Sequence, residues 1–354
     1  MKKLISMTIA CIMALAFFAI PVMAGDAENV PVRKVGVLSM LTFSEEDMAD
    51  VITARTIANQ QIGDEGHAGS AMADYVPTYE VIYFDTLDAM LMALNVGDIN
   101  TIQIYQSVAQ YLCANNDDLM LLYSFDPDAD RDLFETIMFD GLNSNDFAFL
   151  MLEDNTDLCE EFNAAIADMK ADGTLDRLAR EQITDLIEGG EIVPVTLPQY
   201  EDAEIVRIAV TGTLPPMDYV APDGTPAGFN TAVLAEIGNR IGKNIELVVV
   251  DSVGRAAALA SGNVDAVFWA RTSSDSNKWA EYDEEEKAAI FSEAKAQMSE
   301  EEIAAIDQIH ELVDFDQYGA MDMPEGTIAT DPYFSDQIIP VRTKAAVEAQ
   351  NADN

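Results

Sequence analysis

Few side chains in this sequence are of the kinds that catalyse or ligate. His67 and His310 are the only histidines, which gives a histidine metal cluster or a Ser-His-Asp triad little material. No carboxylate stands out as a general acid or base against 63 acidic residues. Two cysteines lie beyond the first 24 residues, Cys113 and Cys159, and their spacing suits neither a metal site nor a redox motif. Either they form a disulfide, closing a loop of about 47 residues at a gain of about 4 kcal/mol in the chain-entropy model, or they are two buried thiols. The chemistry to expect is therefore recognition, with no cofactor and no metal.

Charge narrows the partners. With 19 basic residues the formal net charge is −44, a field that repels nucleic acid and anionic lipid and suits a solvated acidic exterior. Apolar residues make up 49% of the 354-residue chain, enough for a packed protein of two lobes or domains. Met1 to Ala24 reads as a removed secretory signal: Lys2 and Lys3, an apolar run from Leu4 to Ile20, then Val22-Met23-Ala24 at the cleavage point. Cys11 lies inside the apolar run, so a lipid anchor is disfavoured, and no later run is long enough to span a membrane. The reading is a free periplasmic or secreted protein.

The elements that would position a site alternate between strands and helices, the order of an α/β fold with open sheets. KVGVL (34–38), YEVIYF (79–84), Asn100 to Ile104, Leu119 to Phe125 and FAFLML (147–152) read as strands. Helices are expected from Ser44 to about Gln61, from Asp85 to Asn95, from Ser107 to Cys113, and over Thr156 to Ile187 with a break at Gly173. Residues 188–205, carrying Gly189-Gly190, Pro194 and Pro198, form the clearest linker. After it, IVRIAV, a Pro/Gly loop, NTAVLAEIGNRIG, IELVVVD and GRAAALASGNVDAVFWAR give strand, loop, helix, strand, helix, strand. An acidic helical stretch follows, with Ser299 and Glu302 as a capping box.

TLPPMDYVAPDGTPAGFNTAVLAEIGNRIG with LASGNVDAVFW, in residues 213–269, resembles the first lobe of the family 3 extracellular solute-binding proteins, the amino-acid receptors of ABC importers. TDPYFSDQIIPV is similar to the segment by which that family crosses into lobe 2. In the first half, KVGVLSMLT, FDTLDAMLMALNVGDINTIQIYQSVAQYL and FAFLMLEDNTDLCEEFNAAIADMKADGTLDRLAREQI resemble lobe 2 and the family's C-terminal strand and helices. The resemblance implies a two-lobed periplasmic-binding-protein-like fold of type II, each lobe an open sheet flanked by helices, in circularly permuted or rearranged order. Residues 33–146 would be lobe 2, 147–187 the family's C-terminal strand and helices, and 188–205 the linker. Residues 206–331 would be lobe 1 with an acidic insertion at 272–318, 332–344 the strand crossing back, and 345–354 a polar tail. Flexible crossings are expected near Asn145 to Phe147 and Thr330 to Phe334. The insertion either caps lobe 1 or touches a partner.

The same resemblance implies where a solute would sit. Arg271 stands nearest the position of the family's carboxylate-binding arginine, whose planar fork makes two charge-assisted bonds. Trp269 would stack on a ligand or fill the cleft, and Phe268 is expected in the core. Leu214 offers an apolar wall, Thr211 and Tyr219 offer hydroxyls, and Asp218 reads as a turn residue. In lobe 2, Met40 and Leu41 replace the family's Gly-Thr, leaving Ser39 and Thr42 beside them. Tyr105 replaces the aspartate that takes a ligand ammonium, and a tyrosine cannot neutralise one.

The function implied is capture of a small polar solute, an amino acid or related organic acid, between two lobes of a monomer that delivers it to an ABC transporter permease. Two other classes compete: a receptor or interaction module that has lost its ligand, and a periplasmic dehydratase-like enzyme on the same fold.

Overall fold

The computed structural model describes residues 32–39, 44–61, 77–124, 143–251, 254–272, 284–296, 300–313 and 324–353. The expected leader, Met40 to Phe43, His67 and Ser299 lie outside these residues. Among the described residues, no helix is long and apolar enough to cross a membrane, and no group of His, Cys, Asp and Glu is placed to hold a metal ion.

The first half runs β1 (Val32–Leu38), α1 (Glu45–Gln61), β2 (Thr78–Phe84), α2 (Leu87–Val96), β3 (Thr101–Tyr105), α3 (Gln106–Asn115) and β4 (Leu119–Leu121). A long strand β5 (Ser144–Leu152) then leads into α4 (Thr156–Ala171) and α5 (Thr174–Ala179), the latter continued by a π turn over 180–184. Local chemistry sets these boundaries. Ser44 and Asp47 cap α1 reciprocally: the Ser44 hydroxyl accepts from the Asp47 N–H at 3.0 Å, and the Asp47 carboxylate accepts from the Ser44 N–H at 3.2 Å. Thr86 caps α2 by accepting from Ala89 N–H, and Gly97 ends it at φ 81°.

The second half runs β6 (Ile205–Val210), a ribbon of β7 (Thr213–Leu214), β8 (Asp218–Val220) and β9 (Pro226–Ala227), then α6 (Phe229–Ile241) and β10 (Asn244–Val249). It continues as α7 (Gly254–Ala260), β11 (Ala266–Thr272), α8 (Glu284–Lys295), α9 (Glu300–Leu312), β12 (Thr327–Ala329), β13 (Phe334–Thr343) and α10 (Lys344–Asp353). The final ten residues, expected as a tail, are thus largely helical. The Thr343 hydroxyl accepts from Ala346 N–H at 3.3 Å, and Val347 is buried.

One strand path, β10-β6-β11-β5-β13-β3-β1-β2, with β12 beside β5 and β4 beside β13, makes a 10-stranded sheet. The β5–β13 pair divides this path into two halves, called lobe 1 (β10, β6, β11, β5 and β12) and lobe 2 (β2, β1, β3, β13 and β4). The β1–β2, β1–β3, β6–β10 and β6–β11 pairs are parallel, as helical crossovers require. The lobes join where β5 and β13 pair, with Phe334 opposite Phe147 and Gln337 opposite Ser144. From Ile338 onward β13 pairs with β3 instead. The second crossing is therefore at 334–337, later than the expected 330–334: Thr330 and Tyr333 still donate their N–H groups to Phe149 and Phe147 of lobe 1. β5 also starts three residues before the apolar run, because Ser144, Asn145 and Asp146 are extended in the crossing pair.

The largest apolar core runs beneath both lobes, holding Met90, Ile102 and Ile104 on one side and Phe149, Phe162, Phe229 and Ile237 on the other. A separate core joins α1, β1 and β2 to α9 through Ala305, Ile309 and Val313. The helical insertion of lobe 1 therefore packs on lobe 2, which neither sequence reading anticipated. The 188–205 linker is irregular but attached: Val195 N–H donates to Pro226 at 3.0 Å, and Val195 and Leu197 pack on the main core. Cys113 and Cys159 are free thiols, which removes the disulfide alternative. Burial pushes Cys113 up to about 11, and Cys159 rises by burial and then by the nearby Asp331 and Glu160.

Candidate functional site

A cavity of about 130 Å³ lies between the lobes at the crossing strands. Lobe 1 lines it with Thr211, Thr213, Leu214, Asp218, Asn230, Arg255 and Phe268 to Ala270. Lobe 2 lines it with Val37 to Ser39, Met48, Arg55, Asp85 to Leu87 and Gln103 to Tyr105. Asn145, Phe147 and Ile338 of the crossing strands complete it. The position follows from the fold, since the carboxyl ends of the parallel strands β1, β3 and β6 all lie at it.

The lobe 1 wall is built around a buried carboxylate. Asp218 is 5% exposed and accepts from Thr211 Oγ1 and from Gly212 N–H, both at 2.9 Å, with Asn230 as a further side-chain partner. Burial pushes its carboxyl above the usual range, while Gly212, Thr211 and the nearby Arg255 pull the other way. Asn230 Oδ1 in turn accepts from Tyr333 OH at 2.9 Å. The backbone geometry needs Gly228, at φ 101°: a Cβ there would lie 2.4 Å from Met217 O. That close approach lets the N–H groups of Phe229 and Asn230 reach Pro216 and Met217. The Pro215-Pro216 peptide of this loop is cis.

Arg255 enters from the first turn of α7. Its Nη1 donates to Phe268 O at 3.1 Å, and its guanidinium lies 5.9 Å from the Trp269 ring centroid, within cation–π range. Burial lowers its pKa, against the pull of Tyr105 and Asp218. Trp269 itself is 7% exposed and backs onto Leu150, Val264 and Val267, while Phe268 packs against Phe149 at 5.3 Å.

The lobe 2 wall draws on separate elements. Arg55, 4% exposed on α1, donates Nη1 to Gln103 Oε1 at 3.1 Å. Ser39 donates its hydroxyl to Asp85 at 2.9 Å. Tyr105 meets Phe147 edge-on at 4.8 Å. Beneath the cavity the crossing pair is polar: Ser335 donates to Asp146 and Gln337 to Ser144, each at 2.6 Å. Asp336 accepts from the Ser107 N–H and hydroxyl at the start of α3, and burial raises its carboxyl to about 6.

Of the residues singled out in the sequence, Ser39, Tyr105, Thr211, Leu214, Phe268 and Trp269 come together on this cavity. Tyr219 does not. Strand alternation turns Asp218 inward and Tyr219 outward, where it is buried beside Leu186, Ala221 and Ala227. Arg271 is the last but one residue of β11, opposite Asp146, and its side chain, like Thr42, lies outside the described residues. The sequence reading missed Arg55 and Arg255, and it took Asp218 for a turn residue. For Arg55 a signal existed: Met48 and Arg55 are seven apart in one helix, so they share the face that reaches the cavity. Arg255 opens a helix that reads as ordinary α/β packing.

Residues 206–304, from β6 into α9, match the family described as bacterial extracellular solute-binding proteins, family 3. No curated protein matches the sequence. Among solved structures, the chain is similar to the ligand-binding component of an ABC-type import system from Staphylococcus aureus with zinc bound. The identity there is 7%, over 91% of this chain and 69% of that one, at a TM-score of 0.37. It is similar to the periplasmic aliphatic sulphonate binding protein SsuA from Escherichia coli at 11% identity, over 91% and 68%, with a TM-score of 0.33. The probable amino-acid ABC transporter extracellular-binding protein ytmK from Bacillus subtilis gives 9% identity over 92% of each chain and a TM-score of 0.34.

Proposed function

We propose that this protein is an extracytoplasmic solute-binding protein that holds a small organic anion, an amino acid or related organic acid, between its lobes for an ABC transporter permease. The observation that carries the reading is the pair Arg55 and Arg255, which line one cavity from opposite lobes. A guanidinium binds a carboxylate through two charge-assisted bonds, so an anion touching both lobes stabilises the closed arrangement over the open one. Thr211, Ser39 and Asn145 add polar contacts, and Trp269, Phe147 and Tyr105 add apolar surface. The match of residues 206–304 to a solute-binding family supports the same reading.

Ligand-dependent thermal shift across amino acids, small peptides and organic anions tests this. A stabilising anion, recovered unchanged, is expected, with its effect lost in Arg255→Gln and in Arg55→Gln. Silence across the panel would move the protein to a module without a transport solute, and turnover would move it to the dehydratase-like class. With the leader read over residues 1–24, the same proposal has the mature protein working outside the cytoplasm, unanchored and as a monomer. Amino-terminal sequencing of the exported protein should begin at Gly25, and a sedimentation mass above one chain would overturn the monomer.

A further inference from the structure

We propose that helix α9 is a strap that limits how far the two lobes swing apart. Its chain neighbours on both sides belong to lobe 1, since β11 and β12 each pair with β5. Its packing belongs to lobe 2. Ala305, Ile306, Ile309 and Val313 form one buried stripe at helical spacing, and Ile309 is only 1% exposed. Three of these share a core with Val35 and Val37 of β1, Val81 of β2, and Val51 and Ile52 of α1. Lobe 1 thus supplies a piece of the lobe 2 core.

α1 touches both α9 and the cavity. Its Val51 and Ile52 share the core with α9, Arg55 lines the cavity, and Met48 belongs to both. Lobes joined by β5 and β13 alone can rotate about that pair. With α9 docked there is a third connection, away from the crossing strands. Wide opening then has to pull the helix from its seat, and pulling it exposes Ile309 and Val313. The inference is independent of which solute the cavity takes, because it concerns the empty protein.

The test is a spin-label distance measurement between the lobes, without ligand, on the chain from Gly25 to Asn354, which lacks Cys11. Met92 on α2 and Val249 on β10, 68% and 66% exposed, give the label sites as Met92→Cys and Val249→Cys, with Cys113→Ser and Cys159→Ala removing the native thiols. Ile309→Glu places a charge in the docked face. Releasing α9 is expected to lengthen and broaden the interlobe distance distribution and to speed amide exchange in α1, while β3 and α2 stay protected. If exchange shows α9 released and the distribution is unchanged, α9 merely fills the lobe 2 core and the strap is wrong. Should Ile309→Glu fail to fold, Ile309→Ala is read the same way: partial broadening supports the strap, and faster exchange in α9 with an unmoved distribution overturns it.

Discussion

The two walls of the cavity each present one arginine but hold it by different means. On the lobe 1 side, Thr211, Gly212, Asp218, Asn230 and Arg255 fall within one stretch of chain, and Tyr333 locks Asn230 from behind. On the lobe 2 side, Arg55 rests on Gln103 of β3, and the apolar face of its helix meets α9 from beyond residue 300. The first wall is pre-organised by a buried carboxylate with several donors. The second is assembled from parts distant in sequence and responds to whatever moves α1.

Asp218→Ala tests the first half of that contrast most severely. It leaves the Thr211, Gly212 and Asn230 donors without their acceptor and Arg255 without its nearby carboxylate. Urea unfolding should show a loss of about 3–5 kcal/mol; a loss below about 1 kcal/mol would mean that the wall is not organised around this group.

The crossing strands, shared by both walls, give an effect of intermediate size. Asp336 titrates at about 6 in the folded protein against a usual 3.8, because burial penalises the carboxylate. Its folded pKa is the higher one, so the protonated form favours folding. That contribution is complete below the unfolded pKa and is lost as pH rises through about 6, a swing on the order of 3 kcal/mol. The stability difference between the native chain and Asp336→Asn should therefore fall between pH 4 and pH 6 and level off above. A pH-independent difference would show that the helix α3 donors fully compensate the burial.

The smallest effect belongs to the second wall. Ser39→Ala removes a hydrogen bond to exposed Asp85, and the melting transition should move by no more than about 0.5 kcal/mol. A larger shift would mean that the lobe 2 wall is as tightly integrated as its counterpart.

The same contrast explains what could be read from the sequence. Contiguous features were legible: the β-α-β order, the Pro/Gly loop, and Thr211, Leu214, Phe268 and Trp269 of the lobe 1 wall, since neighbours in chain are neighbours in space. Arg55 was legible only as sharing a face of α1 with Met48, because nothing local says that this face meets a cavity across from β11. α9 shows an apolar stripe in its sequence, but a stripe does not name the surface it meets. Ser144 to Asp146 escaped as strand because period-2 burial fails where both faces of a crossing strand are polar. Asp218 and Tyr219 were assigned the wrong way round, since a two-position alternation on a three-residue strand has no phase until its partners are known.

β13, the strand between β5 and β3 in the sheet path, comes from residues 334–343. A chain is made from its amino terminus, so β1 to β3 exist long before the strand that joins them to β5. Until it arrives the sheet is two separate pieces with unpaired edges at β3 and β5. Assembly of the cavity must then wait for nearly the whole chain, and a protein truncated before residue 334 would have both arginines but no common cleft to hold them.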